Sequence, residues 1–422
     1  MVDWPGAARE THTRPVPPPV RLKTTEFIRS EVAGGAVLLV AVVIAMVWAN
    51  APFGDTYYSF WHTELTIGIG DASITNDLQH WVNDGLMAIF FFVVGLEIKR
   101  ELTVGELNSR KKASLPVIAA LGGVVLPALV FVALNAGGSG ADGWAIPMAT
   151  DIAFAVAVLA LLGNRIPAGV RLFLLSIAIV DDVIAITVIA IFYSGGIHLV
   201  WLAVGVLGLG LITGMERIGV HRILPFVAVG FLVWIGFHSS GVHATVAGVA
   251  LGLLTPARPV KGRMVLEELE HDLHPYTSLL IVPIFALANA GIALSFGVVE
   301  TAASNAIFWG ILLGLVAGKT LGIGLATFAA KKLNLAETPE GVLPIHVWGI
   351  AALGGIGFTV SIFIAQLAFV DPDLIETAKV GIFSGSLIAA ILGSVILIRS
   401  PVPDGVPTVA DLAAERQEDV GT

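Results

Sequence analysis

Apolar stretches long enough to cross a bilayer recur from one end of the chain to the other, and nothing else restricts its fold so strongly. They fall roughly at 32–50, 84–98, 115–134, 146–163, 170–193, 198–214, 223–237, 243–255, 277–295, 306–329, 344–370 and 377–398. A membrane helix needs about 20 apolar residues, so about 12 spans would use about 240 of the 422 residues and leave room for loops and tails. Only 13% of residues are charged, against about 25% in soluble domains. No window alternates like a membrane β-strand, so the expected class is all-α, a polytopic bundle of about 12 transmembrane helices.

Basic residues orient the bundle. Arg9, Arg14, Arg21, Lys23 and Arg29 precede the first span, and Lys99, Arg100, Arg110, Lys111 and Lys112 lie between the second and third. Arg165, Arg171, Arg217, Arg222, Arg258, Lys261, Arg263, Lys331 and Lys332 continue the pattern at every second connection. The alternate loops hold no Lys or Arg, which places both termini in the cytoplasm. No cleavable signal peptide is visible, so the first span is expected to stay in place. Segments 1–25 and 401–422 lack periodicity and read as disordered cytoplasmic tails flanking a helical domain over 26–400. In the long outer loop, Thr63 to Thr75 alternates around Gly70-Asp71 and reads as a β-hairpin. Such a hairpin lies on its own bundle or pairs with a second copy, giving a homodimer. Zero cysteines exclude disulfides and thiolate chemistry, and a net charge of −9 argues against a nucleic-acid partner; the partner is membrane lipid.

Within the apolar windows the charged residues read as Asp151, Asp181, Asp182 and Lys319. A charge at mid-bilayer costs at least about 2.5–3.5 kcal/mol, so such residues pair or line a pathway. A structural ion pair would account for two of the four and leave two carboxylates. Asp181 and Asp182 are neighbours, so on a helix they point about 100° apart and meet different surroundings. Their oxygens suit a hard cation such as Na⁺ or a proton, and competition for one site would give exchange. Gly310, Gly314, Gly318 and Gly322 form a small-residue face beside Lys319, whose natural partner is an aspartate, foremost Asp181.

Asp151 lies just after Pro147, and Gly354-Gly355-Ile356-Gly357 interrupts the eleventh window. Both read as broken helices, and paired breaks point to a transporter's midplane site. If the breaks meet, Asp151 would balance the positive helix ends and a lysine the carbonyl ends. Glu97, Lys99, Arg100 and Glu101 form either a charged helix end or a cation-attracting, pH-sensing mouth. His243, His271 and His274 are loop histidines or pH-sensing groups. Gly68-Ile69-Gly70-Asp71 matches an intramembrane aspartyl protease string but lies in the hairpin. Gly318-Lys319-Thr320 resembles the end of a phosphate loop without its strand or leading glycine.

Ala149-Thr150-Asp151-Ile152-Ala153-Phe154, Asp181-Asp182, the run Gly95 to Leu102, the run Gly241 to Thr245 and the run Gly355 to Ala365 together resemble the NhaA family of bacterial Na⁺/H⁺ antiporters. The resemblance implies an inner-membrane protein with inverted repeats, whose fourth and eleventh helices are discontinuous and cross. It implies Asp182 as principal Na⁺/Li⁺ ligand and proton site, with Asp181 sharing the Na⁺ site and pairing with Lys319. Asp151 and Thr150 would sit in the crossing. Glu97, Arg100, Glu101 and His243 would serve the cytoplasmic funnel and pH response, and dimers would form through the hairpin. No cofactor is implied beyond the transported Na⁺ or Li⁺ and H⁺. The family's proline after the tenth-span lysine is Thr320 here, which puts a bend at Lys319 in doubt. Rival readings are a sodium-coupled transporter of another small solute and an intramembrane aspartyl protease.

Overall fold

The computed structural model describes residues 24–402 except 70, 71, 164, 165, 221, 261 and 294. Gly70-Asp71, Arg9, Arg14, Arg21, Lys23, Arg165, Lys261 and, of the expected disordered tails 1–25 and 401–422, residues 1–23 and 403–422 lie outside the described residues; residues 24 and 25 instead open the helix Thr24–Asn50. Among the described residues, nine helices are long and apolar enough to cross a membrane. The pair Pro344–Leu353 and Phe358–Ala368, bent by 47° at its break, makes ten. Two of the expected windows differ from this standard. Ala244–Leu254 has only 11 residues. The window at 277–295 holds the end of a helical run that opens on the polar stretch Val265–Tyr276.

The short helix is held by backbone proximity. A Cβ on Gly248 would come within 2.1 Å of the Ala88 carbonyl oxygen, and one on Gly252 within 2.5 Å of that of Phe92. Glycine is the residue that lets two backbones approach this closely. The partner, Leu78–Thr103, starts earlier than its apolar window because Trp81–Leu86 is wound as a π turn.

The helices fall into two packing groups. Thr24–Asn50, Leu78–Thr103, Leu199–Arg217, Ile223–Ser240, Ala244–Leu254 and the run 265–289 pack mainly on one another. Arg110–Asn135, Ala141–Leu161, Ala168–Phe192, Ala306–Lys332, the bent pair and Pro372–Arg399 form the second group. Thr24–Asn50 bridges the two by packing on Ile152–Leu161. Glu64–Ile69 and Ala72–Asp77 pair antiparallel in the register Glu64 to Asp77, with Thr66 and Thr75 hydroxyls 2.8 Å apart. The strands mark one end of the bundle, here called the hairpin end; Arg100, Arg110 and Lys331 mark the opposite, basic end.

Candidate functional site

Two chain breaks build the centre of the second group. The 3₁₀ turn Ala141–Met148 gives way to extended backbone at Ala149 and Asp151 before Ile152–Leu161 begins. Pro147 cannot continue a hydrogen-bonded helix, and an aspartate in extended backbone is a strong N-cap. The other break, Gly354–Gly357, lies against it. A Cβ on Gly355 would meet the Leu315 carbonyl oxygen at 2.3 Å, so that position requires glycine; one on Gly357 would meet the Ser361 hydroxyl at 2.2 Å and displace the side chain that bonds Ile146 O.

Each break satisfies the polar ends of the other. Asp151 Oδ1 accepts from Phe154 N at 2.9 Å, and Oδ2 accepts from Thr359 N at 3.1 Å and from the Thr359 hydroxyl. One carboxylate thus caps two helix N-termini, where positive partial charge collects. The carbonyl ends are met by hydroxyls. Thr150 Oγ1 donates to Gly354 O at 2.8 Å, and Ser361 Oγ donates to Ile146 O at 2.8 Å. The lysine expected at the carbonyl ends is elsewhere: Lys319 Nζ donates to Asp181 Oδ2 at 2.8 Å, both side chains 1% exposed. Thr150 and Ser361 hold the carbonyls because a hydroxyl satisfies them without bringing a charge that needs its own partner.

Asp181 and Asp182 are buried in Ala168–Phe192. Asp181 Oδ1 has no hydrogen-bond partner in bonding geometry among the described residues, although Thr150 lies within its electrostatic reach. Asp182 makes no hydrogen bond or ion pair to any described residue; its charged surroundings are Asp181, Glu97 and Asp151, with Lys319 as the opposing charge. A buried carboxylate without a partner is costly, and a cation or proton at that position removes the cost. The chain's own residues offer hard oxygens and no third ligand of a resident metal site: among the described residues no group of three His, Asp or Glu is arranged for one.

The helix at Lys319 is not α-wound throughout. Gly314–Gly318 forms a π turn just before it, and Thr320 Oγ1 donates to Val316 O at 2.6 Å. The glycine face packs on Arg110–Asn135: Cβ atoms on Gly122 and Gly322 would each meet the other's carbonyl oxygen at 2.2 Å.

At the basic end Arg100 pairs with Glu270 and, at 3.2 Å, with Glu101, whose other oxygen accepts from Glu106 N at 3.0 Å. Glu97 lies in the same cluster, within electrostatic reach of Arg100 and Glu270. Glu270, outside the apolar part of its helix, was not singled out by the sequence. Burial pushes its carboxyl up to about 7, opposed by Arg100 and aided by Glu97, Glu101 and Glu267. Burial also lowers the His274 imidazole, while His271 is exposed. His243 is apart from this cluster; its Nε2 lies 2.6 Å from Tyr193 O, tying two helix ends together. Beyond the four named charges, the apolar windows hold Asp84, Glu97 and Arg171 toward their ends, and one buried charge that the sequence reading missed. Lys379 is buried in Pro372–Arg399, with Glu376 as its charged neighbour. Standing near that window's start, it reads in sequence as part of a polar helix end.

The family model described as Na⁺/H⁺ antiporter 1 matches residues 25–397. An Erythrobacter litoralis protein named Na⁺/H⁺ antiporter NhaA 2 is 47% identical over 88% of this chain and 93% of its own length. A Shewanella frigidimarina Na⁺/H⁺ antiporter NhaA is 46% identical over 87% of this chain and 94% of its own. Na⁺/H⁺ antiporter NhaA 3 of Frankia alni is 42% identical over 93% and 91%. With the match running from the first span to the end of the last, the chain is a multi-pass membrane protein that belongs to the Na⁺/H⁺ antiporter 1 family.

Proposed function

We propose that this chain exchanges Na⁺ or Li⁺ for H⁺ at Asp182, with Asp181 as the adjoining ligand. The observation that carries the reading is the unpartnered Asp182 carboxylate beside a neighbour already held by Lys319. A proton or a Na⁺ ion satisfies that group, and the two compete for it. Thr150 and Asp151 form the floor of the site and absorb the partial charges of the broken helices. Glu97, Arg100, Glu101 and Glu270 form the mouth at the basic end, where a carboxyl titrating near 7 supports activation at alkaline pH. His243 belongs to the pH response through the helix ends it ties.

The family match supports a finer architecture: twelve spans in inverted repeats, with the fourth and eleventh crossing at their breaks, over about 26–400. It supports an inner-membrane location with cytoplasmic termini and with sodium and pH homeostasis as the role. Leu65 and Ile67 are exposed on the hairpin, which supports a homodimer through that loop. If more protons than Na⁺ move per cycle, exchange is electrogenic, and each net charge gains about 2.3 kcal/mol per 100 mV.

Everted vesicles with an acid-loaded lumen and a ΔpH dye test the assignment. Na⁺ or Li⁺ is expected to dequench the dye increasingly as pH rises, and Asp182→Asn to abolish the signal. Wild-type dequenching in Asp182→Asn, with the protein present in the membrane, would refute it.

A further inference from the structure

The hairpin end of the seam between the two helix groups is closed by side-chain amides. Gln366, in Phe358–Ala368 of the second group, accepts from Asn83 Nδ2 at 2.8 Å and donates to Asn289 Oδ1. Asn83 and Asn289 both belong to the first group, and Asn289 Nδ2 donates to Asn83 Oδ1 at 2.9 Å. Gln79 Nε2 completes the cluster by donating to Asn289 Oδ1 at 2.8 Å and to Ala288 O at 3.2 Å. Asn289 is fully buried. The first-group side is braced: Trp234 Nε1 donates to Asp84 O at 2.9 Å, and His238 lies 3.2 Å from the Asp84 carboxylate. Asn83 itself stands in the π turn Trp81–Leu86, a winding that often marks a functional site.

The same three helices carry a second layer beneath the amides. Phe91, Phe285 and Phe363 are buried, with Phe363 centred 5.6 Å from Phe91 and 6.2 Å from Phe285. Along the broken helix the order is Thr359 at the site, then Phe363, then Gln366. At 1.5 Å per residue the amides stand about 10 Å from the capped break. In the other direction Asp182 faces the charge of Glu97 toward the basic end.

We infer that the Asn83–Asn289–Gln366 amide cluster, backed by the three phenylalanines, is the gate that closes the ion pathway toward the hairpin end. Neutral amide hydrogen bonds hold a seam without the desolvation barrier of an ion pair, so they can separate and re-form in each transport cycle. When Gln366 withdraws with its helix, its own Oε1 loses the Asn83 donor and Asn289 Oδ1 keeps only Gln79 as donor, so both oxygens gain free lone pairs, hard ligands suited to a passing alkali cation. The gate rests on the antiport reading but is tested without it.

The chain has no cysteine, so a single introduced thiol reports alone. Ala185, buried one turn beyond Asp182 on the hairpin side, suits a near-isosteric Ala185→Cys probe. A membrane-impermeant thiol reagent is applied from the hairpin side and, separately, from the basic side. Gln366→Ala is expected to raise the labelling rate from the hairpin side at least tenfold and to leave the basic-side rate unchanged. Asn83→Ala, made from the opposite face of the seam, should do the same, and the double variant should add nothing further. If Gln366→Ala does not reach the membrane, Asn83→Ala carries the test alone. Unchanged hairpin-side labelling, or equal acceleration from both sides, overturns the gate. Faster labelling in a protein that shows no Na⁺-dependent ΔpH response would keep the gate and sink the antiport reading instead.

Discussion

Removing Lys319 tests the buried pair most directly. Its ammonium and the Asp181 carboxylate are 2.8 Å apart and both 1% exposed, so neither has water to fall back on. Truncating one member of such a pair typically costs about 3–5 kcal/mol, most of it the penalty of the charge left behind. Asp181 would be left worse than average, because its Oδ1 already lacks a partner. Replacing both charges removes the stranded anion, and such double replacements are often close to neutral. Lys319→Gln and Asp181→Asn should therefore each destabilise by about 3 kcal/mol or more, while the double variant loses far less than the sum. At roughly 1 °C per kcal/mol for a chain of 422 residues, each single variant melts about 3–6 °C lower. Thermal unfolding of the purified protein in one detergent at fixed pH reads the cycle. Additive losses, with the double variant lowest, would show that the contact carries no coupling and would refute the reasoning.

Three further outcomes follow from the geometry. Glu270 is raised to about 7, so it holds its proton in the folded chain where an unfolded glutamate has lost it. The stability it lends is complete below the ordinary glutamate range and is lost as pH rises through about 7. Glu270→Gln should flatten that pH dependence and move the alkaline rise of antiport, read by ΔpH dequenching from pH 6 to 9; an unchanged profile would remove Glu270 from the response. Gly322→Ala places a Cβ 2.2 Å from the Gly122 carbonyl oxygen, so the helix bearing Lys319 must shift. Lower thermal stability and weaker apparent Na⁺ affinity are expected, and wild-type values would show that the contact relaxes freely. Asp151→Ala removes caps from two helix N-termini at about 1 kcal/mol each, a loss of about 2 kcal/mol. Asp151→Asn should keep about half of it, and equal stability of the two variants would argue against double capping.

What could be read in the sequence was whatever imposes a large energy. Charges in apolar windows are expensive, so Asp181 and Lys319 declared themselves and their contact followed. The glycines at Gly354, Gly355 and Gly357 and the proline at Pro147 marked the two breaks, because few other residues leave a helix there. Neutral polar groups gave no such energetic signal, and Thr150 was marked only by the family motif that carries it. Thr150 and Ser361 satisfy carbonyls across the breaks, yet a hydroxyl in a membrane helix commonly bonds its own backbone. Asn83, Asn289 and Gln366 are far apart in sequence and are brought together only by the packing of two helix groups. The π turns before Lys319 and around Asn83 have no compositional mark either. Glu270 stayed hidden because its partner Arg100 lies on another helix, and an acidic stretch by itself reads as a solvated surface.

The charges at the breaks can be summed, and the sum restricts what can occupy the site. Each helix N-terminus at the breaks carries about half a positive charge, so the two that Asp151 caps neutralise it. Lys319 neutralises Asp181. Asp182 is then left with one uncompensated negative charge, and the two carbonyl ends held by Thr150 and Ser361 add up to about one more. The deficit therefore lies between about one and two positive charges. One alkali cation or one to two protons fill it, whereas a resident divalent metal would leave nothing to exchange. Removing the Asp181–Lys319 pair as a unit leaves the deficit unchanged; removing Asp182 abolishes at least about half of it. The Asp181→Asn/Lys319→Gln double variant should therefore retain Na⁺-dependent proton release, with altered affinity, while Asp182→Asn retains none. If the double variant is as inactive as Asp182→Asn, the Asp181 carboxylate is indispensable to exchange rather than an adjoining ligand, and the charge argument fails.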